Sequence, residues 1–179
     1  MGASTSADPD VELTRHVTQE VKGWLLVGLQ ALLLVALVTL PWRTSPDSVW
    51  PPSVWLVIGG LLILAGVAFA LLAMSHLSTA LTPTPVPREG QTLRTRGAYR
   101  VVRHPIYSAI LLASVGFTVA VGSWWQVGVT AALAVFFTLK SRWEDTMLAE
   151  RFGDEWRAYA RRTGALVPRP AKAPTPSAP

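Results

Sequence analysis

Four stretches of the 179-residue chain carry no Asp, Glu, Lys or Arg: residues 24–40, 54–74, 106–121 and 124–139. Each is close to the ~17 to 25 apolar residues with which a helix crosses a bilayer. Hydrocarbon offers no partners to a backbone N–H or C=O, so such runs must close their hydrogen bonds internally, as helices. The pattern therefore predicts an all-α, polytopic membrane protein with about four transmembrane helices and a cytoplasmic helical tail. The two later blocks are short enough to suit a buried helical hairpin as well.

Charge orients the blocks. The link over residues 75–104 holds Arg88, Arg94, Arg96, Arg100 and Arg103 against Glu89 alone, whereas the link at Gly122-Ser123 has no charge. Lys and Arg accumulate on the cytoplasmic side of membrane proteins, so that link and both termini are expected to face the cytoplasm. Residues 1–22 are polar, include Asp8, Asp10, Glu12 and Glu20, and read as a cytoplasmic tail rather than a secretory leader. The Pro/Ala-rich residues 169–179 read as disordered, which leaves residues 23–168 as the membrane domain. The net charge of +5 comes from cations flanking apolar blocks. Anionic membrane lipids are the partner this implies, and no nucleic acid.

The chain has no cysteine, which excludes disulfides, thiolate nucleophiles and cysteine-ligated metals. Its three histidines are scattered, so no metal site is expected. One of them stands in the densest chemical run of the sequence, Arg96 to Tyr107, where Tyr99, Arg100, Arg103, His104 and Tyr107 gather at the start of an apolar block. Pro105 suits the first turn of a helix, and a residue before proline avoids the α region. His104 is thus expected at the N-cap, with Arg103 beside the free N–H groups of a helix end that attracts anions. The same residues also read as interfacial anchors with a capping histidine.

Downstream, residues 140–152 are expected to extend the fourth helix out of the bilayer, with Gly153 ending it, Asp154 capping a further helix to Arg162, and Gly164 and Pro168 as stops. Lys140 and Glu144 have the i,i+4 spacing of an ordinary surface ion pair.

The segment Arg103-His104-Pro105-Ile106-Tyr107, preceded by Gly97-x-Tyr99-Arg100 and followed by Glu144-Asp145 and Phe152-Gly153-x-Glu155-Trp156-x-x-Tyr159, resembles the isoprenylcysteine carboxyl methyltransferase family of integral membrane enzymes, related to phospholipid methyltransferases. The resemblance spans residues 81–168. It implies a small helical membrane fold and methyl transfer from S-adenosylmethionine to a lipophilic or amphipathic acceptor at the cytoplasmic interface. It implies cofactor-pocket roles for Arg103, His104, Tyr107, Glu144 and Asp145; Tyr99 joins the expected cofactor contacts on its chemistry, and Arg103 and Glu144 are the catalytic candidates. Arg103 and the helix end at His104 suit a carboxylate, Glu144 or Asp145 an ammonium or ribose hydroxyl, and Tyr107 or Tyr99 stacking or cation–π contact. The proline-rich strap at residues 81–87, stiff and non-helical, is expected to cover the pocket. Two departures stand out: Ala109 replaces a usual glycine, and Asp145 replaces the second member of a Glu-Glu pair. A reductase of related architecture that uses NADPH, and a binding protein that keeps only the fold, are the alternatives.

Overall fold

A computed structural model describes residues 9–40, 52–75 and 92–169. Its elements are α1 (Pro9–Thr39), α2 (Pro52–Ser75), a 3-10 turn (Gly97–Arg100), α3 (Pro105–Val121) and α4 (Trp124–Arg162). The fold is all-helical among the described residues. The strap at 81–87 and residues 170–179 lie outside them.

No proline interrupts the sequence between Asp10 and Leu40, and α1 accordingly runs without a break through residue 22, where a separate tail was expected to end. Two segments are long and apolar enough to cross a membrane, Thr18–Thr39 and Ser53–Ser75, while α3 is a shorter apolar helix. Their outer faces carry large exposed side chains such as Leu25, Leu32, Leu56, Leu61 and Leu64, a surface suited to hydrocarbon rather than water.

Close backbone approach joins α2 to α3. A Cβ on Gly59 would lie 2.4 Å from the Gly116 carbonyl oxygen, and one on Gly66 2.8 Å from that of Ala109. Small residues let membrane helices pack this tightly. Gly60 meets nothing within 4 Å, so it takes no part. Between α1, α3 and α4 the core is Leu37, Leu133, Phe136 and Phe137, with Tyr107 and Leu166 packed against it.

Helix ends follow the local chemistry. Pro105 occupies the first turn of α3 with His104 at its N-cap, and Gly122 closes the helix at φ 68°. The stop expected at Gly153 is there too: φ 52° and ψ −122° break α4 at that residue before the chain resumes a helix to Arg162.

Candidate functional site

The break at Gly153 turns the last part of α4 back toward the start of α3, and the chain after it locks the site. Residues 163–166 run alongside residues 102–104: Arg103 N–H donates to the Gly164 carbonyl (2.8 Å) and His104 N–H to that of Ala165 (3.0 Å), with a parallel bridge between Val102 and Gly164. Ser108 Oγ adds a bond to the Leu166 carbonyl at 2.7 Å. Burial pushes the Tyr159 phenol up to about 12, so it stays protonated and donates to the Tyr99 carbonyl at 2.6 Å. The 3-10 turn, the α3 N-terminus and the tail therefore form one unit.

Within that unit, residues separated by some forty positions pair directly. Arg103 Nη2 meets Asp145 Oδ2 at 2.7 Å, and its Nη1 donates to the carbonyls of Ala160 (3.2 Å) and Thr163 (2.5 Å). His104 faces a carboxylate with each ring nitrogen: Nδ1 lies 3.2 Å from Glu144 Oε2 and Nε2 2.9 Å from Asp145 Oδ1. A neutral imidazole donates from one nitrogen only, whereas the imidazolium donates from both. Burial favours the neutral ring, but the two carboxylates outweigh it and raise the His104 pKa from 6.5 to about 8. Burial likewise opposes charge on Asp145, yet the bonds from His104 and Arg103 prevail and its pKa is lowered. The Tyr107 hydroxyl donates to Glu144 Oε1, and its ring stacks on His104 at 5.6 Å and on Phe137 at 4.8 Å.

Five of the six residues singled out in the sequence, Arg103, His104, Tyr107, Glu144 and Asp145, thus form one connected cluster. Tyr99 shares with it a cleft of about 210 Å³, lined also by Pro105, Ile106 and Leu148; Asp145 sits behind, pairing with Arg103 and His104. The anions that Arg103 and His104 meet are the chain's own carboxylates. Ala109 does not line the cleft. It is buried against Gly66 of α2, so its methyl is accommodated in helix packing. Lys140 does not make the surface pair that its spacing to Glu144 would allow. It is buried, and its Nζ donates to Gln30 Oε1 at 2.9 Å.

Sequence reasoning missed the bracing by residues 159–166. The available signal was Gly164, read only as a helix stop: a Cβ there would lie 1.8 Å from the Val167 carbonyl oxygen, so the turn requires glycine. Two buried donors have no hydrogen-bond partner among the described residues, Arg103 Nε and Trp156 Nε1, on groups 5.6 Å apart in a cation–π contact; of the two residues, Arg103 lines the cleft. Buried donors are rarely left unpaired. With Arg103 and Glu144 on one cleft, the residues fit a ligand bearing both an acceptor and a cationic group. A cleft of this volume would enclose part of such a molecule, since pockets for drug-sized ligands span ~300 to 1,000 Å³.

Residues 54–155 match the family model for phospholipid methyltransferases. Among curated proteins, the chain is 42% identical over 86 residues to the cobalt-zinc-cadmium resistance protein CzcN of Cupriavidus metallidurans, covering 46% of this chain and 38% of that protein. It is 29% identical over 161 residues to methanethiol S-methyltransferase 2 of Bradyrhizobium diazoefficiens, covering 79% and 58%. The chain therefore spans less than two thirds of the length of each of these relatives. In fold it is similar to the eukaryotic intramembrane Ras methyltransferase ICMT, with a TM-score of 0.59 at 19% identity, over 94% of this chain and 54% of that one.

Proposed function

Because the chain belongs to the phospholipid methyltransferase family, we propose that it is a membrane methyltransferase that takes its methyl group from S-adenosylmethionine and delivers it to a lipophilic or amphipathic acceptor at the cytoplasmic interface. The observation that carries this reading is the cluster of Arg103, His104, Tyr107, Glu144 and Asp145 beside one cleft, held from behind by the tail. When bound, the cofactor supplies a methyl already activated on a sulfonium, so little covalent work falls to the protein.

The residues have the remaining task of alignment, which is worth several kcal/mol in such reactions. Arg103 keeps an unpaired Nε–H for a carboxylate or other acceptor, and its two Nη groups are pinned so that this donor has one orientation. Glu144, fixed by Tyr107 and His104, presents negative charge to an ammonium or a ribose hydroxyl. Tyr99, which lines the cleft, offers its ring to a cation or a base, while the Tyr107 ring is engaged by His104 and Phe137 and serves by fixing Glu144. The family match favours methyl transfer over NADPH reduction.

In the membrane, α1, α2, α3 and the first part of α4 serve as four spans with both termini cytoplasmic, which sets the cleft at the inner interface. Calorimetric titration of the purified protein with S-adenosylhomocysteine and with NADPH tests the assignment. S-adenosylhomocysteine is expected to bind and NADPH not to; the opposite result overturns it.

A further inference from the structure

A second recess opens between α1 and α4 on another side of Tyr107. It has a volume of about 460 Å³, is walled by Leu25, Leu26, Leu29, Phe136 and Leu139, and has Trp143 and the cations Lys22 and Lys140 along it. Lysines at membrane interfaces ordinarily bury the stem and lift the ammonium into water. Lys22 is exposed, but Lys140 is only 4% exposed. Its ammonium turns inward, donating to Gln30 Oε1 and standing 4.9 Å from the Tyr107 ring centroid. The acid of matching spacing, Glu144, is committed to Tyr107 and His104. Glu144 acts on Lys140 through its field, but among the described residues the ammonium makes no ion pair and is held by a neutral amide, an arrangement that a further anion would complete.

We propose that this groove binds the hydrocarbon chain of an amphiphile with an anionic head, and that Lys140, assisted by Lys22, is the residue that selects the head. Charge complementarity argues for that occupant: apolar walls take a chain, and among the described residues the charges lining the groove, Lys22 and Lys140, are positive. The volume lies within the range of enclosed small-ligand sites. One wall belongs to α1, outside the residues 54–155 that match the family model. Through Lys140 it abuts Tyr107, hence the Glu144 side of the cleft. As the seat of the methyl acceptor the groove rests on the methyl-transfer reading; as a binding site it stands without it.

The test uses Trp143 as the reporter, in the full chain in phosphatidylcholine nanodiscs. A bromine-labelled alkyl sulfonate, ionised throughout, is compared with the alcohol of the same chain at equal membrane-bound mole fraction. The Trp143 signal is isolated by difference from Trp143→Phe. The sulfonate is expected to quench at about tenfold lower mole fraction, the scale of one charge-assisted bond. Lys140→Met should abolish that preference while leaving the alcohol's quenching in place, and Lys22→Gln, an exposed position that folding tolerates, should reduce it several-fold. Equal quenching by both probes in the wild type overturns the proposal, as does a preference that survives both substitutions. Charge-selective quenching in a protein that binds no S-adenosylhomocysteine upholds the groove and overturns the methyltransferase reading. S-adenosylhomocysteine binding with no charge preference in the groove does the reverse.

Discussion

His104 holds a proton on each nitrogen because each faces a carboxylate, and this couples the site to pH. Its folded pKa, about 8, exceeds the unfolded value of 6.5, so its contribution is complete below 6.5 and is lost as pH rises through 8. At ~1.4 kcal/mol per unit the loss is roughly 2 kcal/mol. Asp145 has the opposite sign: its pKa is lowered from 3.8, so its contribution is present above 3.8 and is lost as pH falls further. The thermal midpoint of the detergent-solubilised protein is therefore expected to fall between about pH 6.5 and pH 9, and His104→Gln, which hydrogen-bonds without titrating there, should flatten that limb. Glu144 is tested by charge. Glu144→Gln keeps a polar group for Tyr107 but removes the negative charge that His104 and the cleft use, so binding of S-adenosylhomocysteine should weaken by about tenfold or more. Tyr107→Phe keeps the ring and removes only the donor, and should cost about 1 kcal/mol of stability. Calorimetry and thermal melts on the two variants measure the difference.

At the level of elements, the link that holds the site together is the short return of residues 163–166 onto residues 102–104. Gly164→Ala would place a methyl 1.8 Å from a backbone oxygen, and the turn would have to open. The bonds from Arg103 N–H and His104 N–H would go with it, a loss of about 1 to 3 kcal/mol at ~0.5 to 1.5 kcal/mol each. Hydrogen exchange should show those two amides deprotected while the amides of α2 stay protected; unchanged exchange at Arg103 and His104 would show the bracing to be dispensable. Element boundaries with a local cause were legible in the sequence: Pro105 opens α3, Gly122 closes it and Gly153 breaks α4. What depends on how helices pack was not. The pairing of Arg103 and His104 with Glu144 and Asp145 spans about forty residues and arises only when α4 folds against α3, so the sequence pointed to an anion without revealing that the chain supplies it. Lys140 illustrates the same limit, because its spacing to Glu144 described a surface helix while its actual position faces α1.

Across the whole molecule, polar contacts between α1 and α4 lie in antiparallel order. Gln126, early in α4, donates to the carbonyls of Leu37 and Leu40 at the end of α1 (3.4 and 3.1 Å), whereas Lys140, ~21 Å of helix rise further along α4, reaches Gln30, earlier in α1. The cluster around His104 and the described arginines just before it, Arg94, Arg96 and Arg100, share one end of the helices, and the uncharged Gly122-Ser123 turn stands at the other. A side with excess Lys and Arg is retained in the cytoplasm, so reporter fusions after Glu89 and Arg169 are expected to read inside and a fusion after Ser48 outside. Under the proposed topology, the His104 end of α3 and the Glu144 level of α4 lie together at the inner interface, where the proposed soluble methyl donor and membrane-borne acceptor would meet. An inverted pattern would carry the cleft to the outer face, away from a cytoplasmic donor, and a fusion after Ser48 that reads inside would reduce α1 and α2 to a re-entrant pair; either result would require a different route for the donor, even with every contact in the cluster unchanged.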